Sequence, residues 1–352
     1  MNPLTQLVSK VTLQGLLNQS HFPNGQPFSK ELLKLDCAPE VERICAFIRR
    51  EVLHSFRRKG LIVGLSGGID SSTVAALAVR ALGPNRVIAL MMPEKDSSAE
   101  TLELSRLMAE HLGIRSILED ISSALEATGC YRRRDDAIRL VVPEYGPGWK
   151  SKLVLPNVVN SESLRIFSVV AQAPDGTQVT RPLSLEAHLG IVAATNFKQR
   201  TRKMLEYYHA DRLNFAVAGT PNRLEYDQGF FVKLGDGAAD LKPIAHLYKT
   251  QVYEMADYLR VPSPILNRPP TTDTYSLPQT QEEFYFCLPY HTMDLVLYAK
   301  TNGYTPAEIS CELGLSPEQI ERVYRDIDAK RRVARYLHSP ASLVENVTEN
   351  AI

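Results

Sequence analysis

The sequence predicts an α/β fold, a doubly wound parallel sheet flanked by helices. First, a short apolar strand, residues 61–65, runs into a glycine-rich turn and then into a helix over 72–82. Second, strands over 86–93 and near 114–120 alternate with a helix over 98–113. This β-α-β-α-β order is typical of parallel sheets that helices cover.

The flanking elements extend this pattern. Residues 37–56 predict an amphipathic helix that leads into the first strand. After residue 188 the alternation resumes with a helix over 189–209, a strand over 214–220 and a helix over 249–260. The alternation thus comes from two stretches of the chain, before residue 120 and after residue 188.

Residues 130–188 break the alternation, and we interpret them as an insertion. The segment is rich in proline, glycine and charge. Two β-rich runs flank Asp175 and Gly176, which predicts a β-hairpin. A lid and an oligomer contact are both open as roles for this insertion.

We expect three parts along the chain. Residues 1–57 form an N-terminal helical segment, residues 58–300 the main α/β domain with its insertion, and residues 301–352 a helical C-terminal extension. In this last part, Thr305 and Ser316 are predicted N-caps of two helices.

Composition narrows the classes of function. The 352 residues are 44% apolar and 23% charged, with a formal net charge of zero. This balance argues against a general binder of nucleic acid or membrane surfaces, which needs a basic excess. The five cysteines lack C-x-x-C spacing, and the first ten residues lack the apolar core of a signal peptide. We therefore expect reduced thiols and a cytoplasmic protein.

The turn after the first strand predicts a phosphate site. A loop between a strand and a helix presents free backbone N–H groups to an anion, and glycine allows close approach. Neither a Walker loop nor a G-x-G-x-x-G fingerprint is present. The predicted phosphate-binding residues are Ser66, Gly67, Gly68, Ser71 and Ser72.

The run Ser-Gly-Gly-x-Asp-Ser resembles the pyrophosphate loop of the N-type ATP pyrophosphatases. Further stretches resemble NAD+ synthetase, in the order of that family: "NFKQRTRKMLEYYHA" (196–210), "FAVAGTPNRLEYDQGFFVKLGDGAADLKPIAHLYKTQV" (215–252), "RPPTTDTYSLPQTQEE" (268–283) and "PYHTMDLVLY" (289–298). The resemblance covers roughly residues 40–120 and 190–300.

The resemblance implies a two-step ligase reaction. The carboxylate of nicotinic acid adenine dinucleotide (deamido-NAD) attacks the α-phosphate of ATP, and ammonia then attacks the acyl-adenylate to give NAD+. It also implies a homodimer. Two carboxylates and phosphate oxygens would suffice for Mg²⁺. Asp70 lies at the mouth of the loop, and the resemblance selects Glu225 as the second carboxylate.

The resemblance also assigns the remaining site residues. Lys249 is predicted to contact the ATP phosphates and to act with Asp70 in catalysis, and Thr220 and Thr271 are predicted to lie near the nucleotide. The predicted substrate residues are Asn196, Arg200, Lys233, Asp236 and Asp240. Asp236 is our candidate for collecting the proton that ammonia loses. Met91 or Met92 either borders the adenine or belongs to the core.

The match is imperfect at two motifs, and one of them is the C-terminal basic motif of the family, which "DAKRR" (328–332) matches only loosely. Family members commonly carry Q-x-D-E after the Pro-Thr segment, whereas this chain has Gln281 in place of the Asp. This departure and the insertion favour an alternative, an amide ligase of the same fold that acts on another carboxylate. A third hypothesis is a catalytically silent protein that binds nucleotide.

The nitrogen source is a separate question. Residue 2 is Asn2, which excludes an N-terminal cysteine nucleophile of a glutaminase, and none of the cysteines sits in a G-x-C-x-G turn. We therefore expect free ammonia or a separate glutaminase subunit as the nitrogen source.

Overall fold

The computed structural model describes residues 27–155, 166–271, 274–286 and 288–345. At its centre lies a sheet of four parallel strands in the spatial order β3–β2–β1–β7. These strands are β1 (Leu61–Gly64), β2 (Val87–Met91), β3 (Arg115–Leu118) and β7 (Ala216–Ala218). The predicted parallel sheet is confirmed.

Helices cover both faces of this sheet. One face packs on α1 (Cys37–Arg49), α2 (Ile69–Leu82), α3 (Ala99–His111) and α8 (Lys249–Tyr258). The other face packs on α4 (Ser122–Ala127), α5 (Cys130–Arg139) and α6 (Leu185–Leu213). Successive side chains of a strand point to opposite faces, so Leu61 and Val63 join the first core and Ile62 the second.

Two element boundaries differ from the predicted ones in ways that affect the site. Helix α2 begins at Ile69, three residues before the predicted start, so Asp70 and Ser71 lie in its first turn. Helix α6 has 29 residues and extends beyond the predicted 189–209 at both ends. Its N-cap is Ser184, whose side chain accepts a hydrogen bond from the Ala187 N–H.

The predicted insertion contains helix α5 and a three-stranded antiparallel sheet: β4 (Lys150–Val154), β5 (Ser168–Gln172) and β6 (Gln178–Pro182). The hairpin at Asp175 is confirmed. Its carboxylate accepts from the Thr177 N–H at 2.9 Å, and Gly176 has a φ of 90°. The sequence analysis did not predict β4. The sheet packs on α5 and α6 through Leu153 and Val169.

The C-terminal part is helical, as predicted. It comprises α10 (Tyr290–Thr301), α11 (Pro306–Leu313) and α12 (Pro317–His338), and capping boxes at Thr305 and Ser316 open the last two. Two short helices, α7 (Arg223–Gln228) and α9 (Ser263–Leu266), precede them. Residues 1–26 of the predicted N-terminal segment lie outside the described residues. Across the described ranges, no helix is both long and apolar enough to cross a membrane.

Candidate active site

A cavity of about 920 Å³ opens at the carboxyl ends of the parallel strands. Gly64 at the end of β1, Met91 at the end of β2 and Thr220 just after β7 line it. After β1 the chain adds β2 and β3 on one side, whereas the later strand β7 lies on the other side of β1, so the strand order reverses at β1. Ligands of doubly wound sheets bind at such a switch point. Met91 and Met92 are buried and also line the cavity, so a place in the core is compatible with a place beside the adenine.

The glycine-rich loop forms one end of this cavity. Ser66 N–H donates to Ser71 Oγ at 3.3 Å, and that hydroxyl lies 3.1 Å from Ser66 Oγ. Gly67 has a φ of +67°, and a Cβ there would lie 2.6 Å from the Thr101 carbonyl oxygen. Only glycine fits such a backbone without strain. The loop therefore holds Ser66, Gly68 and Ser71 at the cavity in a fixed geometry.

A buried ion pair joins this loop to α8. Lys249 Nζ contacts Asp70 Oδ2, and the Lys249 side chain is 2% exposed. Asn222 Nδ2 donates to Asp70 Oδ1 at 2.9 Å. Burial lowers the pKa of Lys249, but the carboxylates of Asp70 and Glu225 raise it by more, so the net direction is upward. Lys249 is therefore a fixed positive charge on the cavity wall.

Glu225 stands beside this pair at the start of α7. Its Oε2 accepts from the Asn222 N–H at 3.1 Å, and its Oε1 accepts from Gln281 Nε2 at 3.2 Å. Burial and the negative charge of Asp70 raise the pKa of Glu225 to about 8. Two carboxylates thus face one cavity and repel each other, although Lys249 offsets part of that repulsion.

These residues fit a magnesium ion. Magnesium is usually held by one or two carboxylates, with phosphate and water completing its octahedron. Asp70 and Glu225 supply the two carboxylates, and a cation between them would relieve the repulsion that raises the Glu225 pKa. Among the described residues no group of three or more His, Cys, Asp or Glu side chains could hold a metal, so the other ligands would come from substrate and solvent.

A further part of the cavity wall is aromatic and carries Asn196 and Asp236. Asp236 Oδ1 accepts from the Val232 N–H at 2.7 Å, and burial raises the pKa of this carboxyl. Phe167 stacks on His188 with ring centroids 4.5 Å apart. Flat aromatic faces on this wall suit planar heteroaromatic rings. Further aromatic residues that line it are Phe230, Phe231, Tyr275, Phe284 and Tyr285.

The cavity brings together most of the predicted site residues: Ser66, Gly68, Asp70, Ser71, Asn196, Thr220, Glu225, Asp236, Lys249 and Thr271. Five predicted site residues lie outside this lining: Gly67, Ser72 and the substrate residues Arg200, Lys233 and Asp240. Ser72 is fully buried, and its Oγ has no hydrogen-bond partner among the described residues.

The three remaining substrate residues contact the protein itself. Arg200 Nε donates to the Lys233 carbonyl at 3.3 Å, and Lys233 Nζ donates to the Tyr336 carbonyl at 2.8 Å. Asp240 accepts from the Val217 N–H at 2.7 Å and from the Tyr207 hydroxyl at 3.2 Å. Their role toward substrate stays a prediction.

Sequence reasoning gave no role to several residues that line the cavity or contact its lining. Asn222 caps α7 and also donates to Asp70, and its spacing from Glu225 is that of a capping box, a signal the sequence carried. Gln281 was noted only as a departure, yet it contacts Glu225. Arg268, which donates to Thr101 Oγ1 at 3.0 Å, had no local signal.

Comparison with known proteins identifies the family of this chain. The family model described as NAD synthase matches residues 40–140 and 161–334. The NH(3)-dependent NAD(+) synthetase of Mesorhizobium japonicum is 58% identical over 91% of this chain and 100% of its own length. That of Rhizobium meliloti is also 58% identical, over 93% and 97%.

A solved structure gives the same fold. The NMN synthetase of Francisella tularensis matches with a TM-score of 0.62 and 24% identity, covering 89% of this chain and 100% of its own. This likeness concerns the fold alone. The family match and the two relatives show that the chain belongs to the NAD synthase family.

Proposed function

We propose that the chain is an ATP-dependent ligase that adenylates the carboxylate of deamido-NAD and amidates it with ammonia, giving NAD+, AMP and pyrophosphate. The main support for this function is that Asp70, Glu225 and Lys249 lie together beside the glycine-rich loop, at the switch point of the sheet. The names of the relatives support the choice of acid and of ammonia. They favour this function over the alternative carboxylate.

The first step brings a carboxylate to a polyphosphate. An oxygen of the acid attacks the α-phosphorus of ATP, and the bond to the β-phosphate oxygen breaks, so pyrophosphate leaves. The backbone around Ser66 and Gly68 and the Ser71 hydroxyl offer donors for the departing pyrophosphate, at the positive end of the α2 dipole. Lys249 adds a full positive charge whose position Asp70 fixes. Such preorganised charge stabilises the transition state.

Asp70 and Glu225 would hold Mg²⁺, which neutralises phosphate charge when it is bound. Asn222 fixes both carboxylates, since its side chain donates to Asp70 and its backbone N–H to Glu225. Gln281 holds the second oxygen of Glu225. Three hydrogen bonds, two from Asn222 and one from Gln281, thus fix the positions of the two proposed metal ligands.

The second step requires a proton acceptor. The nitrogen of ammonia attacks the acyl carbon, AMP leaves with the electron pair of the broken C–O bond, and the nitrogen releases a proton. Asp236 lies on the cavity, and its raised pKa suits a carboxylate that takes up a proton. We assign it this role.

We also propose a homodimer. Helix α6 carries exposed apolar side chains along its length: Leu185 at 73%, Leu189 at 56%, Met204 at 61% and Tyr208 at 58% exposure. Apolar side chains left in water along one helix are typical of an interface. Sedimentation of the purified chain, with Met204→Glu as the disrupting variant, tests this.

The experiment that tests the function is pyrophosphate release from ATP with Mg²⁺ and ammonium. One arm contains deamido-NAD, one nicotinic acid mononucleotide and one no acid. We expect strong stimulation by the dinucleotide, with NAD+ formed in step with pyrophosphate. Stimulation by the mononucleotide alone, or by neither acid in a folded protein that binds ATP, would refute the proposed substrate.

A further inference from the structure

The small antiparallel sheet ends in an edge strand next to the active site. Strand β4 pairs with β5 on one side only, and its other edge faces the loop 274–281. An edge strand presents free N–H and C=O groups that a neighbouring segment can satisfy. Here that segment is part of the loop, which forms hydrogen bonds with the free edge of β4.

The contacts between β4 and the loop are hydrogen bonds. Ser151 N–H donates to Ser276 Oγ at 2.9 Å, and Leu277 N–H donates to the Ser151 carbonyl at 3.2 Å. Further along, Gln279 Nε2 donates to the Leu153 carbonyl. Ser151 and Gln279 are both buried, at 2% and 5% exposure. Buried polar groups of this kind are costly to leave without partners.

The same loop forms one wall of the active-site cavity. Thr274 and Tyr275 line it, as does Gln281, which donates to Glu225. At the start of the loop, the buried Lys198 donates to the Thr274 carbonyl at 2.8 Å. Asn196 on α6 and Thr274 both line the cavity, so this end of the loop borders the wall predicted to contact the acid.

Strand β4 lies outside the residues that the family model matches. The NAD synthase model matches up to residue 140 and again from 161, and β4 falls in between. The Ser276 and Gln279 side chains bond to backbone atoms of β4, whereas Gln281 bonds to a side chain of the site. One segment thus contacts both the added strand and the active site.

We propose that β4 is a positioning element of the active site. By bonding to Ser276, Leu277 and Gln279, it holds the loop 274–281 against the cavity and so increases the affinity for the acid dinucleotide. This inference rests on the proposed function for the identity of the acid. The chemistry itself needs no group of β4, so β4 acts on binding and not on the reacting atoms.

The test is a double variant, Ser276→Ala with Gln279→Leu, which removes three hydrogen bonds to β4, two made by the Ser276 hydroxyl and one by the Gln279 amide, and keeps most of the side-chain volume. The matched control is Ser310→Ala with Gln172→Leu. Ser310 Oγ and Gln172 Nε2 also donate to backbone carbonyls, but at sites away from the cavity. Both proteins are compared with the unchanged chain in thermal stability, amide hydrogen exchange and steady-state kinetics.

We expect the KM for deamido-NAD to rise about tenfold in the loop variant, the combined effect of the lost hydrogen bonds, while kcat changes less than about twofold. Amide exchange should become faster over residues 274–281 and not in the parallel sheet. A variant that matches the control in KM and in loop exchange overturns the proposal. A merely structural role would lower thermal stability without this split between KM and kcat.

Two further arms keep the result decisive. If the double variant does not fold, Ser276→Ala and Ser276→Thr replace it: restoration of the KM by threonine supports the proposal, and an unchanged KM in the alanine variant overturns it. If the unchanged chain does not turn over deamido-NAD, the proposed function fails. Loop exchange in the ligand-free protein then decides this inference separately.

Discussion

Two parts of the cavity wall differ in how they are built. We call the part formed by the glycine-rich loop, Asp70 and Lys249 the phosphate wall, and the part that carries Asn196 and Asp236 the acid wall. On the phosphate wall, the residues that touch the cavity lie in one strand-loop-helix unit or pair directly with it, as Lys249 pairs with Asp70. On the acid wall, Asn196 and Asp236 face the cavity, whereas Arg200, Lys233 and Asp240 bond to other parts of the protein. Chemistry encoded in a continuous motif is therefore placed by local structure, and dispersed chemistry depends on tertiary packing.

The largest expected effect lies on the phosphate wall. Asp70→Asn removes a proposed metal ligand and leaves Lys249 as a buried charge without its partner. We expect kcat/KM for NAD+ formation to fall at least about 100-fold. Pyrophosphate release and NAD+ formation should fall together, measured in the same samples. Asp175→Asn, in the exposed hairpin turn, is the matched control and should retain activity.

A more selective loss is expected on the acid wall. Asp236→Asn keeps the size of the side chain and removes its ability to take up a proton. ATP–pyrophosphate exchange that depends on the acid should persist, and NAD+ formation should fall about 100-fold, the usual contribution of a general base. Unimpaired NAD+ formation would remove Asp236 from the mechanism. Equal loss of both activities would place it in substrate binding instead.

Glu225 is a proposed metal ligand whose protonation changes with pH. Its carboxyl has a pKa of about 8 in the folded chain, whereas an unfolded glutamate titrates near 4.3. Between these values the folded state binds more protons, so the free energy of unfolding of the ligand-free protein falls as pH rises through this window.

Glu225→Gln cannot titrate at this position and should flatten that slope, measured by urea unfolding at pH 5 to 8. The same variant should need about tenfold more Mg²⁺ for half-maximal activity, since one ligand loses its charge. An unchanged slope would mean that burial and the charge of Asp70 do not raise the pKa of Glu225. An unchanged Mg²⁺ requirement would remove Glu225 as a ligand.

Much of the fold followed from local pattern. Strand β1, the glycine-rich turn and α2 were predictable because an apolar run, glycines and a helix-forming run occur in succession. The start of α2 was misplaced, since Ile69 and Asp70 read equally well as loop. Strand β4 was missed because "KSKLV" carries a weak alternation and its partners, β5 and the loop 274–281, lie far away in sequence.

The site divides in the same way. The capping spacing of Asn222 and Glu225 was visible in the sequence, but the bond from Asn222 to Asp70 joins residues 152 positions apart. The role of Gln281 likewise depends on how the loop 274–281 returns to α7. Such contacts result from the packing of separate elements, which no local pattern encodes.

The smallest catalytic effect is expected at Asp240. Its carboxylate accepts from the Val217 N–H in β7 and from the Tyr207 hydroxyl in α6, so it ties an edge strand of the sheet to its neighbours. In Asp240→Ala both donors lose their acceptor, which costs about 1–3 kcal/mol where the donor is buried. Thermal stability should fall by a few degrees, while the KM for deamido-NAD should stay within about twofold.

Tyr207→Phe is the matched control, because it removes the hydroxyl donor and leaves the backbone bond of Asp240 in place. A KM for deamido-NAD that rises tenfold in Asp240→Ala, with thermal stability preserved, would mean that Asp240 reaches the substrate as the family resemblance implies. The acid wall would then be assembled from residues that the ligand-free chain holds in other contacts. Loss of stability alone assigns Asp240 to the edge of the sheet, and the acid wall then consists of the side chains that already face the cavity.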